Sequence, residues 1–189
     1  MMKLTRSIGL IALLLLTTAS AYSQGAGIEW DILNKEVMSL YQKGQYDRAV
    51  IVAKKALEIA EKALGPDHPD VATSLNNLAE LYYTQGQYTQ AEPFYKRSLA
   101  IWEKAHGPDH PDVATGLNNL ALLYYTQGQY AQAEPFYKRS LAIWEKALGP
   151  DHPNVVTSLK NMAVLYRETG RVKAGQELEK RVLAIRARQ

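Results

Sequence analysis

Apolar side chains recur at three- and four-residue steps through Val71, Leu75, Leu78, Ala79 and Tyr82, which places them on one face of a helix. Gly86-Gln87 interrupts the pattern. It resumes at the same spacing through Ala91, Tyr95, Ser98, Leu99, Trp102 and Ala105, predicting a second helix antiparallel to the first across a short turn. Thr89 with Glu92 three residues on has the spacing of a capping box, and Pro93 falls at the edge of the first turn, where a missing N–H costs least. On that reading Ala131 in the following copy loses a cap, at a cost of ~1 kcal/mol. Gly107-Pro108 ends the second helix, and Asp109-His110-Pro111-Asp112 supplies capping side chains and an early proline for the next.

The whole unit then repeats. Residues 65–106 and 107–148 differ only at Ser74/Gly116, Glu80/Leu122, Thr89/Ala131 and His106/Leu148. Gly44, Gly86, Gly128 and Gly170 follow one another at 42-residue intervals, as do Gly65, Gly107 and Gly149, so weaker copies flank the central two. Four units are expected at about 29–64, 65–106, 107–148 and 149–189. A period of this length signals an array in which each unit buries its apolar face only against its neighbours, and four units exceed the minimum of about three.

Leu75, Leu78, Ala79, Tyr82, Gly86, Tyr88, Ala91, Tyr95 and Ser98 resemble the tetratricopeptide signature of small and large packing residues. The eight residues beyond that repeat's usual 34 lengthen the second helix by up to ~12 Å. With the Leu-Asn-Asn-Leu-Ala and Leu-Gly-Pro-Asp-His-Pro phrases, the long unit is similar to the kinesin light chain subclass. The resemblance implies an all-α solenoid, a right-handed superhelix of helix-turn-helix repeats, whose first helices line a concave groove. The end copies depart from the signature. Glu36 stands at the Leu78 position, and Val172 and Gly175 stand for Tyr130 and Ala133, as expected of terminal units.

Ahead of the repeats, Lys3 and Arg6 precede an apolar run from Ile8 to Leu16 and the small residues Ala19-Ser20-Ala21. This pattern reads as a secretory signal peptide over 1–21, cleaved after Ala21 and too short for a comfortable membrane span of ~20 residues, the alternative being an uncleaved anchor. A short flexible segment, 22–28, is expected to follow, and the mature protein is expected in the periplasm or outside a bacterial cell. Composition adds exclusions rather than a function. With no cysteine there is no disulfide framework, thiolate metal site or Cys nucleophile. A formal charge of +3, two of it from Lys3 and Arg6, argues for no nucleic-acid partner.

If Leu75, Leu78 and Tyr82 face inward, the opposite stripe of the first helix is the candidate groove. Across copies it reads as rows: Asn34, Asn76, Asn118, Lys160; Tyr41, Tyr83, Tyr125, Arg167; and between them Met38, Glu80, Leu122, Val164. Asn77, Asn119 and Asn161 form an adjacent row. Asparagine amides donate and accept, so a ladder of them suits the backbone of an extended peptide, while tyrosine rings supply rigid contact area. The competing reading makes the asparagines solvated positions or bridges between helices. Lys160, Asn161 and Arg167 gather positive charge only in the last unit.

The second helices carry a basic ladder, Lys54-Lys55, Lys96-Arg97, Lys138-Arg139 and Lys180-Arg181. Glu92 and Glu134 sit four residues before Lys96 and Lys138, a favourable helical pairing that predicts a salt-bridged face rather than a phosphate track. Trp102 and Trp144 share a face with Tyr95 and Tyr137 and are expected between helices. His68, His110 and His152 recur once per turn, but copies a helix spacing of ~8–10 Å apart cannot share one ion, so capping is expected and no metal. No catalytic or nucleotide-binding fingerprint occurs, and neither enzyme activity nor a cofactor is expected. The sequence thus points to a scaffold that binds a peptide or helix of a partner protein. The alternative is a structural repeat protein that assembles with itself, a possible homo-oligomer.

Overall fold

The computed structural model describes residue 25 and residues 27–188, so the expected signal peptide and most of the segment behind it lie outside the described residues. Among the described residues the chain is all helix and turn. The helices are α1 (27–42), α2 (Tyr46–Leu64), α3 (Pro69–Thr84), α4 (Tyr88–His106), α5 (Pro111–Thr126), α6 (Tyr130–Leu148), α7 (Pro153–Glu168) and α8 (Val172–Arg186). They form an α-solenoid of helix-turn-helix repeats, the odd-numbered helix of each pair being the A helix and the even-numbered the B helix. Residues 27 and 28, expected in a flexible segment, already belong to α1. None of the described helices is long and apolar enough to cross a membrane.

Each A-to-B turn has a local cause. Gly86 lies in the left-handed region at φ 73°, its N–H donates to Tyr83 O at 2.9 Å, and Gln87 N–H reaches back to Tyr82 O at 2.8 Å. That pair of bonds is a Schellman ending, and the positive φ is why glycine holds the position. At the other turn a histidine caps the next A helix. Nδ1 of His68, His110 and His152 accepts the N–H of Asp70, Asp112 and Asn154, each at 3.2 Å, with a proline beside it at the first helical position.

The B helices start differently from the capping-box expectation. The N-cap of α4 is Gln87, without a side-chain cap bond, and Thr89 is already inside the helix. Ala131 therefore loses nothing that Thr89 supplies, since α6 starts the same way at Gln129. Pro93 and Pro135 stand a turn inside their helices on exposed positions, leaving the carbonyl one turn back to water.

The described residues divide within α3 into two compact units, one ending at Ser74 and the other beginning at Leu75. In the first, α1 and α2 bury Leu33, Val37, Leu40, Ala49, Ala53, Ala56 and Ala60, Lys55 pairs with Glu29 at 3.0 Å, and the Trp30 indole N–H donates to Ser74 Oγ at 2.7 Å. The second buries Leu75, Leu78, Leu117, Leu120, Leu123, Leu159, Leu165 and Tyr137. Trp102 and Trp144 are buried there too, whereas Ala105 at the end of the B-helix stripe is exposed. Small residues let helices close up: a Cβ built on Gly175 of α8 would stand 2.9 Å from the Ala163 carbonyl oxygen of α7.

Candidate functional site

The face of interest is carried by residues 75–84 of α3 with α5 and α7. Hydrogen bonds between consecutive A helices set its rows side by side. Asn119 Nδ2 donates to Asn76 Oδ1 at 2.9 Å, Asn161 Nδ2 to Asn118 Oδ1 at 3.4 Å, and the hydroxyls of Tyr83 and Thr126 are 2.9 Å apart. Asn76 and Asn118 retain only 8% and 9% of their surface. At these two positions the competing reading holds, that of bridges between helices: each gives its carbonyl to the neighbouring helix, so Asn76 and Asn118 stitch the repeats together instead of offering free amides to a guest's backbone. Asn119 and Asn161 are half-buried donors in that stitch, and Asn77, also half-buried, has its own interactions.

What remains open to a guest is the outer part of the stripe. Glu80 is exposed, Leu122 and Val164 half-buried, Tyr83 and Tyr125 half-buried, Lys160 and Arg167 exposed. Each groove tyrosine leans on the first residue of the following B helix, Tyr83 on Tyr88 at 5.5 Å and Tyr125 on Tyr130 at 5.4 Å between ring centroids, so both rings are held in place rather than loose. Burial, with nearby Glu168 adding to it, raises the Tyr125 hydroxyl above its ordinary range, so that side chain is a neutral donor and acceptor. Arg167 pairs with Glu179 of α8 at 2.9 Å, which partly neutralises the positive end of the stripe. In the first unit, Asn34 Nδ2 donates to Trp30 O of its own helix at 2.9 Å, Tyr41 packs its ring edge-on against Tyr46, and Met38 is exposed.

The B-helix face is a lattice of ion pairs. Lys96 meets Glu92 and Lys138 meets Glu134, both at 2.7 Å and four residues apart, as the spacing predicts. Two further pairs cross from one repeat to the next, Arg139 to Glu103 at 2.6 Å and Arg181 to Glu145 at 2.5 Å, and within one repeat Lys146 near the end of α6 meets Asp109 in the turn before α5 at 2.6 Å. Glu134 is clasped by both Arg171 and Lys138, and their hydrogen bonds hold its carboxyl down at about 2. The basic ladder is largely spent on this lattice.

The tetratricopeptide repeat profile matches residues 31–104, 70–145 and 112–188. The chain belongs to the tetratricopeptide repeat family. That family generally supplies non-enzymatic scaffolds that bind protein partners. Among solved structures, the tetratricopeptide chain is similar to a Podosopora anserina putative kinesin light chain with nearly identical repeats, at 25% identity and a TM-score of 0.63, covering 91% of this chain and 93% of that one. It also shares its fold with BtubC (BKLC) from P. vanneervenii at 24% identity and a TM-score of 0.76, covering 84% of this chain and 63% of that one. The RxLR effector protein SFI4 of Phytophthora infestans (strain T30-4) is 36% identical over 67 residues, 35% of this chain, which spans only 20% of that relative's length.

Proposed function

We propose that this tetratricopeptide protein is a non-enzymatic adaptor that binds an extended segment or helix of a partner protein along the A-helix stripe of residues 75–167. The observation that supports this reading is the division of labour on that stripe: the asparagines bind helix to helix, which holds Tyr83, Leu122, Tyr125 and Val164 at fixed spacing on a surface that remains partly open. Pre-positioned rings and an apolar middle row suit an apolar side chain of the guest flanked by backbone polar groups. Glu80 in one copy and Leu122 in the next make neighbouring repeats read different side chains.

The test is a Leu122→Ala/Tyr125→Ala variant compared with wild type and with Gln132→Ala, which changes an exposed B-helix residue, in pull-downs from extract of the source cells. Loss of the same partner only in the first variant, at equal helicity, supports the groove; equal recovery from all three removes it. Self-association is the second reading, favoured by Val172 and Leu183 exposed on α8 at 48% and 64%. Light scattering that returns a monomer at all concentrations dismisses it. The Lys3/Arg6-led apolar segment further supports export, so the partner is sought in the periplasm or outside the cell, and mass spectrometry of the mature N-terminus checks cleavage after Ala21.

A further inference from the structure

We propose that the turn between α4 and α5 is a binding site for a single divalent transition-metal ion of the zinc class, held by His106, His110 and Asp112. Those three side chains each bring one ligand atom within 4.8 Å of the others. Asp112 Oδ2 lies 3.6 Å from His106 Nε2 and 3.3 Å from His110 Nδ1. Bonds of ~2.0–2.2 Å in tetrahedral array put ligand atoms about 3.3 Å apart, so the two edges to Asp112 are already near that spacing and the two imidazoles supply the movement that closes the trio on an ion. The imidazoles are stacked with centroids 4.3 Å apart, so the rings are neighbours but must tilt apart for both in-plane lone pairs to point at one ion. Two imidazoles and a carboxylate are the donors zinc-class ions take, and three protein ligands leave the fourth position to water.

His106 is the reason the site exists in one copy only. It ends α4, and the corresponding residues at the other turns are Leu64 and Leu148. The turn after α6 has also exchanged its carboxylate for Asn154. The single cap histidine in those turns cannot hold an ion, and at 107–112 the same cap acquires a second imidazole from the preceding helix. His110 Nδ1 otherwise accepts the Asp112 N–H at 3.2 Å, so binding exchanges one cap bond for a metal bond and ties the end of α4 to the start of α5. The three histidines that recur carry no sign of the site in the sequence; its signal is the fourth, His106, four residues before His110.

The experiment is calorimetric titration of the untagged full chain with zinc alone at neutral pH, on wild type, His106→Leu and Asp112→Asn. Both substitutions install residues that the following turn already carries, and circular dichroism confirms equal helicity. One equivalent bound by wild type, and affinity lower by about tenfold or more in either variant, supports the site. Cobalt in place of zinc then gives the visible absorption of a four-coordinate ion. Equal affinity in wild type and His106→Leu, uptake of several weak equivalents unaffected by the variants, or no uptake at about 1 mM free zinc overturns it.

Discussion

Replacing Asn119 with alanine tests whether the asparagine ladder holds the solenoid together or serves a guest. Asn76 is 92% buried and its Oδ1 accepts from Asn119 Nδ2 at 2.9 Å, so Asn119→Ala strands a carbonyl that water reaches poorly. An unsatisfied buried acceptor costs about 1–3 kcal/mol, and the half-buried setting of Asn119 puts the expectation in the lower half of that range. Asn76→Ala removes the acceptor but leaves a donor that can turn toward solvent. The double variant should therefore be less damaged than the two singles predict, with a coupling of about 1 kcal/mol. The next rung, Asn161 to Asn118 at 3.4 Å, is at the limit of hydrogen-bonding distance and should couple by less than about 0.5 kcal/mol. Urea unfolding followed by circular dichroism at a common slope supplies the numbers. Zero coupling on the first rung, or a larger coupling on the second, would mean that the asparagine ladder does not hold these repeats together.

Other parts of the fold give shorter expectations. Glu134 has its folded value depressed to about 2, so its contribution is complete above ~4.5 and disappears as pH falls toward 2. Because Arg171 and Lys138 are 40% and 57% exposed, screening cuts the stabilisation to about 1–2 kcal/mol, and Glu134→Gln should lose that at pH 7 but match wild type near pH 2 by thermal melting. Gly175→Ala gains ~1 kcal/mol of helix propensity yet meets the Ala163 carbonyl at 2.9 Å, so a net loss of about 1–2 kcal/mol is expected, and an unchanged melting temperature would show that α8 can shift freely. Ser158 Oγ is buried with no hydrogen-bond partner among the described residues, so Ser158→Ala should be neutral or stabilise by up to about 1 kcal/mol in the same melt.

The sequence made the helices legible because each has two independent markers, an apolar stripe and a glycine or proline at its end. Gly86 and Gly128 show both, and their positive φ explains why the interruption falls where it does. The start of α4 was less legible. Thr89 and Glu92 have capping-box spacing, but Gln87, two residues earlier, is where the backbone leaves the turn, and spacing alone cannot tell a cap from a first-turn residue. On the stripe, Tyr83, Leu122 and Tyr125 are where helical periodicity puts them, partly open. The burial of Asn76 and Asn118 was not legible, because periodicity gives an angle around one helix and their burial comes from a second helix closing over it.

Near-identity of the two central repeats turns their four differences into a map of what distinguishes one repeat from the next. Thr89/Ala131 falls on exposed positions at the start of a B helix, where neither side chain is needed for a cap. Ser74/Gly116 falls where helices pack, and a Cβ on Gly116 would stand 3.3 Å from Leu99 and 3.4 Å from Trp102, so it tunes the fit between elements. Glu80/Leu122 falls in the middle row of the open stripe and changes a charge into an apolar contact. His106/Leu148 falls at a turn and adds a second imidazole to a capping one. A stack whose interior positions are copied almost without change can vary its surface cheaply, since an exposed substitution disturbs no interface on which the neighbouring unit depends. The two differences that place new chemistry on the surface, at 80/122 and at 106/148, are therefore where a binding preference and an ion site can arise in one repeat while the helices beneath them stay the same.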